Sequence, residues 1–199
     1  MTERPRIQYP KTLRNRIEAV EEYVVVNMPR LPYHNPNHAL EVAAVAETFG
    51  LEEGCGLHDL YLLATMGLVH DRRYVVGAKD NEEVTVDLIR RPLTEIGYPN
   101  YEILIINGGV MATKLPPNPQ TALEMVVCDA DVDNIGTERF WDRNEAFRIE
   151  EGVNDKQTWL ARTLKFMESH KYHTKTAYRL RNEGKQKNIA ELRKRLGFI

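Results

Sequence analysis

Residues 58–71 read HDLYLLATMGLVHD, and most positions between Leu60 and Val69 are apolar. A helix that is apolar on nearly all sides is buried at the centre of a protein. We therefore expect a central helix from about His58 to His70, whose carboxyl end delivers His70 and Asp71. Burying an aspartate without a cation partner costs several kcal/mol, so this pair indicates a bound cation.

A second histidine lies upstream, in the decapeptide YHNPNHALEV that begins at Tyr33. Asn35 is a good N-cap and Pro36 suits the first helical position, so a helix is predicted to begin at Pro36. Gly50 can end this helix as a left-handed cap. His38 shares the apolar face of the helix, so its imidazole is expected to point inward.

The segment DADVD at residues 129–133 ends an apolar run that predicts a buried helix over 120–131. The glycine and distal glutamate of an EF-hand are absent from it, and we favour Asp131 over its two neighbouring aspartates as a ligand. The four side chains then give the pattern H...HD...D. Two imidazoles and two carboxylates suit a divalent metal and leave room for water and an anionic substrate oxygen.

A second His-Asp pair, His58-Asp59, precedes the apolar run and lies beside glycines. A solvated N-terminal cap explains this pair better than a metal site does. We therefore exclude it from the ligand set.

The remaining periodicity predicts an all-α protein, because no strand-turn-strand alternation is present. Only residues 103–106 could equally form a strand. Residues 1–199 are expected to form one domain, with a core over about 12–151 and a helical extension over 152–199. The further predicted helices cover residues 12–27, 82–96, 101–113, 137–151, 156–169 and 174–196.

Composition limits the partners of this chain. With 27 basic and 29 acidic residues, the formal net charge of -2 creates no global field that attracts nucleic acid or an anionic membrane. The basic residues of 171–195 are explained by a solvated helix face.

The longest apolar run is far shorter than the ~20 residues of a membrane span. Two cysteines and no signal peptide make the cytoplasm the expected compartment.

Together these motifs resemble the HD-domain superfamily of metal-dependent phosphohydrolases, which carries H...HD...D on a helical bundle. The stretch beginning at Tyr33 also resembles the YHNxxHAxxV signature of cyclic-nucleotide phosphodiesterases. A closer resemblance is to a family of small bacterial HD proteins with YHNxxH, HDxxYxxxxxDNEExSA, DADLxxLG and IRxEY-like motifs. The matches at residues 70–74, 80–86, 129–136 and 147–151 extend this resemblance over nearly the whole chain from Tyr33.

This resemblance implies an HD-domain helical bundle that hydrolyses a phosphate ester, either a monoester or a diester, of a nucleotide or related small molecule. It makes His34 the general acid. The implied cofactor is a divalent ion, Mn, Fe, Mg, Co, Ni or Zn, and no histidine lies between His70 and His170, which favours a single protein-held metal. The implied metal ligands are His38, His70, Asp71 and Asp131.

Further roles follow as hypotheses for the predicted site. Asp71 would also orient or deprotonate the attacking water. Glu82 would partner His34 or that water, or is an ordinary first-turn glutamate favoured by the helix dipole. Candidate phosphate contacts are Arg72, Arg73, Lys79 and, through its family match, Arg148. Other expected substrate contacts, all within the matched motifs, are Tyr33, Asn35, Tyr74 and Asn81.

Two other functional classes stay open. The chain could be a nucleotide-binding or regulatory HD module in which the metal is mainly structural, or an interaction protein that uses its basic tail. A small phosphorylated molecule is the expected partner, without nucleic acid or membrane, and a homodimer is compatible with the chain.

Overall fold

The computed structural model describes residues 5–198, and none of these residues lies in a β-strand. The all-α prediction is confirmed. The described helices are α1 (Lys11–Asn27), α2 (Pro36–Glu52), α3 (Leu57–Val69), α4 (Asn81–Ile96), α5 (Asn100–Ala112), α6 (Ala122–Asp131), a 3₁₀ helix (Asp133–Gly136), α7 (Phe140–Glu150), α8 (Lys156–Ser169) and α9 (Lys175–Arg195).

Helix α3 is the centre of the larger of two hydrophobic clusters. Every residue of α3 from Leu60 to Val69 is buried, as the apolar composition predicts. Helices α1, α2, α4, α5 and α6 surround α3, and Ala177 of α9 also belongs to this cluster. Burial of a large aliphatic or aromatic side chain stabilises a fold by about 1.5–3 kcal/mol, so this cluster holds the scaffold rigid.

A glycine allows α2 and α3 to pack with their backbones in contact. A Cβ atom built on Gly67 would lie 2.6 Å from the backbone N and Cα of Ala43, a distance that no real side chain tolerates. Gly67 lies one turn before His70, and Ala43 lies about one turn after His38. The close approach therefore brings the two histidines together.

The end of α2 differs from the sequence prediction, and the strand alternative for residues 103–106 is excluded. Helix α2 continues to Glu52, and Gly50 is a buried helical residue whose Cβ would lie 2.6 Å from Leu63 and 2.9 Å from Leu60. Gly50 is therefore required for packing, and the prediction that it caps the helix is wrong. Residues 103–106 belong to α5, because that segment is helical and packs against α3 and α4.

The smaller hydrophobic cluster joins the carboxyl-terminal elements. Its buried members are Ile135, Phe140, Leu164, Met167, Ile189 and Leu192. Helix α9 contributes to both clusters and packs along the 3₁₀ helix. The start of α7 is later than predicted, since the 3₁₀ helix and a turn occupy residues 133–139. In the part of the chain that the structure describes, no helix is both long and apolar enough to cross a bilayer.

Candidate metal centre and adjoining cavity

Three helices deliver the four predicted ligands to one point. His38 lies in the first turn of α2, where the Asn35 side chain accepts hydrogen bonds from the backbone N–H groups of Asn37 and His38. His70 is the C-cap of α3 and Asp71 follows it. Asp131 is the last residue of α6. Each ligand thus lies at a helix end, where the backbone no longer fills the space beside it.

One ligand atom from each of these four residues lies within 4.8 Å of all the others, and the cluster could hold a metal ion. His70 Nε2 is 2.9 Å from Asp71 Oδ2 and 3.3 Å from Asp131 Oδ1. His38 Nε2 is 3.2 Å from Asp131 Oδ1 and 3.6 Å from Asp71 Oδ2. Both imidazoles are almost wholly buried, whereas the carboxylates are partly open to a cavity.

The donor set fits a divalent cation. Although carboxylates lie nearby, His38 Nε2 and His70 Nε2 are buried and make no hydrogen bond of acceptable geometry. His70 Nδ1 lies 2.9 Å from the Gly67 carbonyl oxygen and donates to it, which leaves the Nε2 lone pair free for a metal. Two neutral imidazoles and two carboxylates carry a charge of about -2, which a divalent ion balances.

The electrostatics of the four groups follow from their mutual contacts. Burial alone would lower the pKa of His70, but the carboxylates of Asp71 and Asp131 outweigh burial and raise it. Burial dominates for His38, whose pKa is lowered. Burial would raise the pKa of Asp131, but the two imidazoles lower it well below its usual range. Burial would also raise the pKa of Asp71, but His70 and His34 outweigh burial and lower it, so both carboxylates are ionised and available as ligands.

His34 lies beside this cluster with a partner on each ring nitrogen. Its Nδ1 bonds to a carboxylate oxygen of Glu150, and its Nε2 is 3.6 Å from Asp71 Oδ2. Glu150 Oε2 also accepts the backbone N–H groups of Tyr33, at 2.8 Å, and His34, at 2.9 Å. The Tyr74 ring stacks on the imidazole with centroids 3.4 Å apart. These contacts fix the orientation of the ring.

Glu150 was missed by the sequence analysis, which gave Glu82 as a partner of either His34 or the attacking water. The first of these two contacts is not seen, because Glu150 occupies Nδ1 of His34. Glu82 does line the cavity beside Asp71, and its pKa is raised by burial first and by the Asp71 charge. Its role toward the water stays a prediction. Glu150 lies inside the matched motif at 147–151, which was the available signal.

The cavity next to the cluster has a volume of about 310 Å³. This volume is within the range of small-molecule pockets. Its inner end is formed by His34, Asp71 and Asp131. One face of α7 forms a wall with Phe140, Arg143, Asn144 and Phe147, spaced as i, i+3, i+4 and i+7. Helix α8 continues this wall with residues that include Trp159, Thr163 and Phe166, since Trp159 contacts Phe147 of α7.

The predicted substrate contacts divide into two groups. Tyr33 and Tyr74 line the cavity. Four others do not, because the fold uses their side chains elsewhere. These are Asn35, which caps α2; Arg72, whose Nε donates to Tyr23 at 2.9 Å; Asn81, whose Oδ1 accepts from the Val75 backbone at 3.0 Å; and Arg148, which pairs with Glu145 at 2.8 Å and with the Val153 carbonyl.

Arg73 and Lys79 are not in the cavity wall either. The described cations in that wall are Arg143 and Arg162, which the sequence analysis did not single out. The Arg143 guanidinium pairs with Glu41, one turn after His38 on α2. This pair fixes a positive charge relative to the ligand helix. The signal for Arg143 was its position on the same helical face as Phe140 and Phe147.

No protein-family model matches this sequence, and no curated protein does. Among solved structures, the chain is similar to the crystal structure of Bacillus subtilis YpgQ in complex with ADP, with a TM-score of 0.69 and 22% identity. The similar region covers 94% of this chain and 97% of that chain. At this identity the likeness shows a shared helical fold.

Proposed function

We propose that this protein is a metal-dependent phosphohydrolase of the HD-domain type that cleaves a phosphate ester of a nucleotide. The observation that supports it most is the pair of buried imidazole nitrogens, His38 Nε2 and His70 Nε2, which lack hydrogen bonds and face two carboxylates. A cavity with an arginine and aromatic walls adjoins them. A purely structural staple would need no such cavity.

Under this proposal His38, His70, Asp71 and Asp131 hold the metal. A divalent ion supplies Lewis acidity toward a phosphoryl oxygen and lowers the pKa of water. Asp71, whose carboxylate is partly open to the cavity, accepts a hydrogen bond from the attacking water and orients it.

His34 supplies the proton for the leaving oxygen. When water attacks phosphorus, the bond from phosphorus to the ester oxygen breaks, and that oxygen takes the proton from His34 Nε2. Glu150 stabilises the ring with its proton on Nδ1 in every state and therefore favours the imidazolium that precedes transfer. Burial raises the pKa of Glu150, but the hydrogen bonds from His34 outweigh burial and lower it. Glu150 thus stays ionised beside His34.

Arg143 is the proposed contact for the substrate phosphate. It lines the same cavity as Asp71 and Asp131, and its pairing with Glu41 orients the guanidinium before a ligand enters. Pre-orientation reduces the conformational entropy lost on binding. An arginine also matches phosphate oxygens with two parallel N–H groups.

A nucleotide is the proposed substrate class for two reasons. The outer part of the cavity is aromatic and apolar, with Phe140, Phe147, Trp159 and Phe166 in its walls. The similar YpgQ structure is a complex with ADP. Both features favour nucleotides over simple phosphorylated sugars as the first substrates to test.

The experiment compares wild-type protein with Asp71→Ala after removal of all metal and reloading with Mn²⁺, Fe²⁺, Mg²⁺, Co²⁺, Ni²⁺ or Zn²⁺. Metal content per chain and phosphate release from a nucleotide panel are measured together. Wild type is expected to bind one ion and to release phosphate. Asp71→Ala is expected to lose both, because a ligand and the water contact disappear together.

Asp59→Ala is the matched control, since Asp59 belongs to the other His-Asp pair, at the start of α3 and outside the cluster. It is expected to keep both properties. Turnover by metal-free Asp71→Ala would contradict the mechanism. Stoichiometric metal with no release from any nucleotide would instead favour a binding or regulatory module.

A further inference from the structure

Helices α7 and α8 contact each other through aromatic side chains, and together these side chains form one aromatic wall of the cavity. The Phe147 and Trp159 rings meet edge to face, with centroids 5.3 Å apart and planes at 86°. Tyr33 packs on the other side of Phe147, with centroids 5.0 Å apart. Aromatic walls of this kind accept flat rings by stacking.

The amide side chain of Asn144 lies beside these aromatic residues in the cavity lining. Trp159 Nε1 donates to Asn144 Oδ1 at 3.0 Å, and Thr163 Oγ1 lies 3.0 Å from the same oxygen and 3.0 Å from the Trp159 carbonyl oxygen. An indole N–H can only donate, so the amide oxygen must face α8 and the amide cannot be flipped. The orientation of the Asn144 side chain is therefore determined by its two neighbours.

The amide nitrogen of Asn144 is left for a ligand. Nδ2 carries two hydrogens, and none of residues 5–198 accepts a hydrogen bond from it, although Asn144 lines the cavity. When a ligand excludes water from an apolar cavity, an amide donor without an acceptor costs free energy. A ligand that fills this cavity is therefore favoured if it presents an acceptor to Nδ2.

Arg143 and Asn144 are consecutive on α7 and contact different neighbours. Arg143 reaches Glu41 on α2, beside the metal cluster, and Asn144 reaches Trp159 and Thr163 on α8. The cavity thus has a cationic end near the cluster and an amide end beside the aromatic wall. A substrate that satisfies both ends carries a phosphate and a planar ring with an acceptor edge.

We infer that Asn144 is the specificity-determining residue of this site and that its Nδ2 donates to a ring nitrogen or carbonyl oxygen of a heterocyclic base that stacks against the aromatic wall formed by α7 and α8. The inference rests on the proposed function, because it takes the metal cluster as the phosphate end. It selects nucleotides over phosphorylated compounds without a ring. Thr163 and Trp159 act as positioning residues for the amide.

Equilibrium binding tests this without turnover. The full chain is titrated calorimetrically with ADP and with pyrophosphate, which has no ring. The titrations compare wild type, Asn144→Ala and the control Asn15→Ala, since Asn15 is an exposed residue of α1. Wild type is expected to bind ADP at least about tenfold more tightly than pyrophosphate, as expected from stacking of one base. Asn144→Ala is expected to weaken ADP about fivefold, the effect of one hydrogen bond, and to leave pyrophosphate unchanged. Asn15→Ala is expected to change neither.

A second measurement keeps the test independent of the folding of Asn144→Ala. The chain has two tryptophans, Trp141 and Trp159, and only Trp159 lines the cavity. In Trp141→Phe, adenosine without any phosphate is expected to quench the remaining emission. Equal affinities of wild type for ADP and pyrophosphate, or no quenching by adenosine, would overturn the inference. If ADP binding depended on Asn144 but no nucleotide were hydrolysed, the proposed function would be excluded and the inference about Asn144 would stand.

Discussion

At the scale of single residues, His34 and Glu150 form a contact between the segment that precedes α2 and the end of α7. The imidazole has Glu150 on one nitrogen and Asp71 3.6 Å from the other. A residue held this way has one accessible tautomer and one orientation. The pair is the smallest unit in which the proposed acid can be tested apart from the metal.

Glu150→Gln is expected to lower kcat by about 10–100-fold with little change in metal content, because the amide cannot stabilise the imidazolium of His34. His34→Asn should cost more, roughly 10²–10⁴-fold in kcat. Steady-state kinetics and metal analysis measure both effects. Glu145→Gln, on the same helix but paired with Arg148, is the control and should keep wild-type kcat. Unchanged kcat in Glu150→Gln would exclude this role.

A second residue contact, between His170 and Lys185, makes stability depend on pH. Lys185 Nζ donates to the His170 carbonyl and lies 3.2 Å from His170 Nδ1. Burial, then the charges of Lys185 and His173, lowers the pKa of His170 to about 4 from an ordinary 6.5. Between these values the unfolded chain binds a proton that the native chain does not.

The free energy of unfolding should therefore increase as the pH rises from about 4 to 6.5. Across this pH range, His170 should account for an increase of about 1–2 kcal/mol in the free energy of unfolding, after allowance for its partial exposure. Urea unfolding of wild type and His170→Gln at pH 5 and pH 7.5 measures the difference. Identical pH dependence of the two proteins would contradict the assignment.

At the scale of elements, the contact between α2 and α3 controls the metal cluster. Gly67→Ala places a methyl group against the Ala43 backbone, so the helices must separate. We expect a loss of about 1–3 kcal/mol in stability and weaker metal binding, because His38 and His70 move apart. Thermal unfolding and metal titration check both.

Gly56→Ala is the control for this change, since a Cβ at Gly56 meets nothing within 4 Å and its φ of -72° suits any residue. It should lose less than about 1 kcal/mol and keep its metal affinity. If Gly67→Ala bound metal like wild type, the close approach would not control the cluster.

The helices were easier to predict from the sequence than the contacts between their side chains. The apolar run of α3 and the capped start of α2 were readable because periodicity and capping are local properties. The ligand cluster was readable because each ligand ends or begins a helix. Motif matches give the identity of a residue but not its side-chain partner, and Asn81 and Arg148 bond to residues of their own segments outside the cavity wall. Glu150 was missed because its partner lies 116 residues away.

At the scale of the whole molecule, the ligands and the cavity walls come from different hydrophobic clusters. The metal cluster belongs to α2, α3 and α6, whereas the substrate walls belong to α7 and α8. The carboxylates of Asp71 and Asp131 repel each other, and a bound cation would offset this repulsion. Metal should therefore stabilise the larger cluster directly.

Mn²⁺ at about 100 times its dissociation constant is expected to add about 2.7 kcal/mol, which raises Tm by roughly 5–10 °C for a chain of this size. Differential scanning calorimetry of chelated and reloaded protein measures the shift. Asp131→Ala should show no shift. An unchanged wild-type Tm on reloading would argue against a metal held by these four residues.

Because the two hydrophobic clusters differ in size, the helices that they hold should differ in how readily they open locally. Amide hydrogens exchange with solvent fastest where few buried apolar contacts oppose local opening. The smaller cluster is built around six buried side chains, so amides of α7 and α8 should exchange before those of α3. A nucleotide that bound against α7 and α8 should slow exchange in these two helices first, because it would add apolar contacts to the less densely packed cluster.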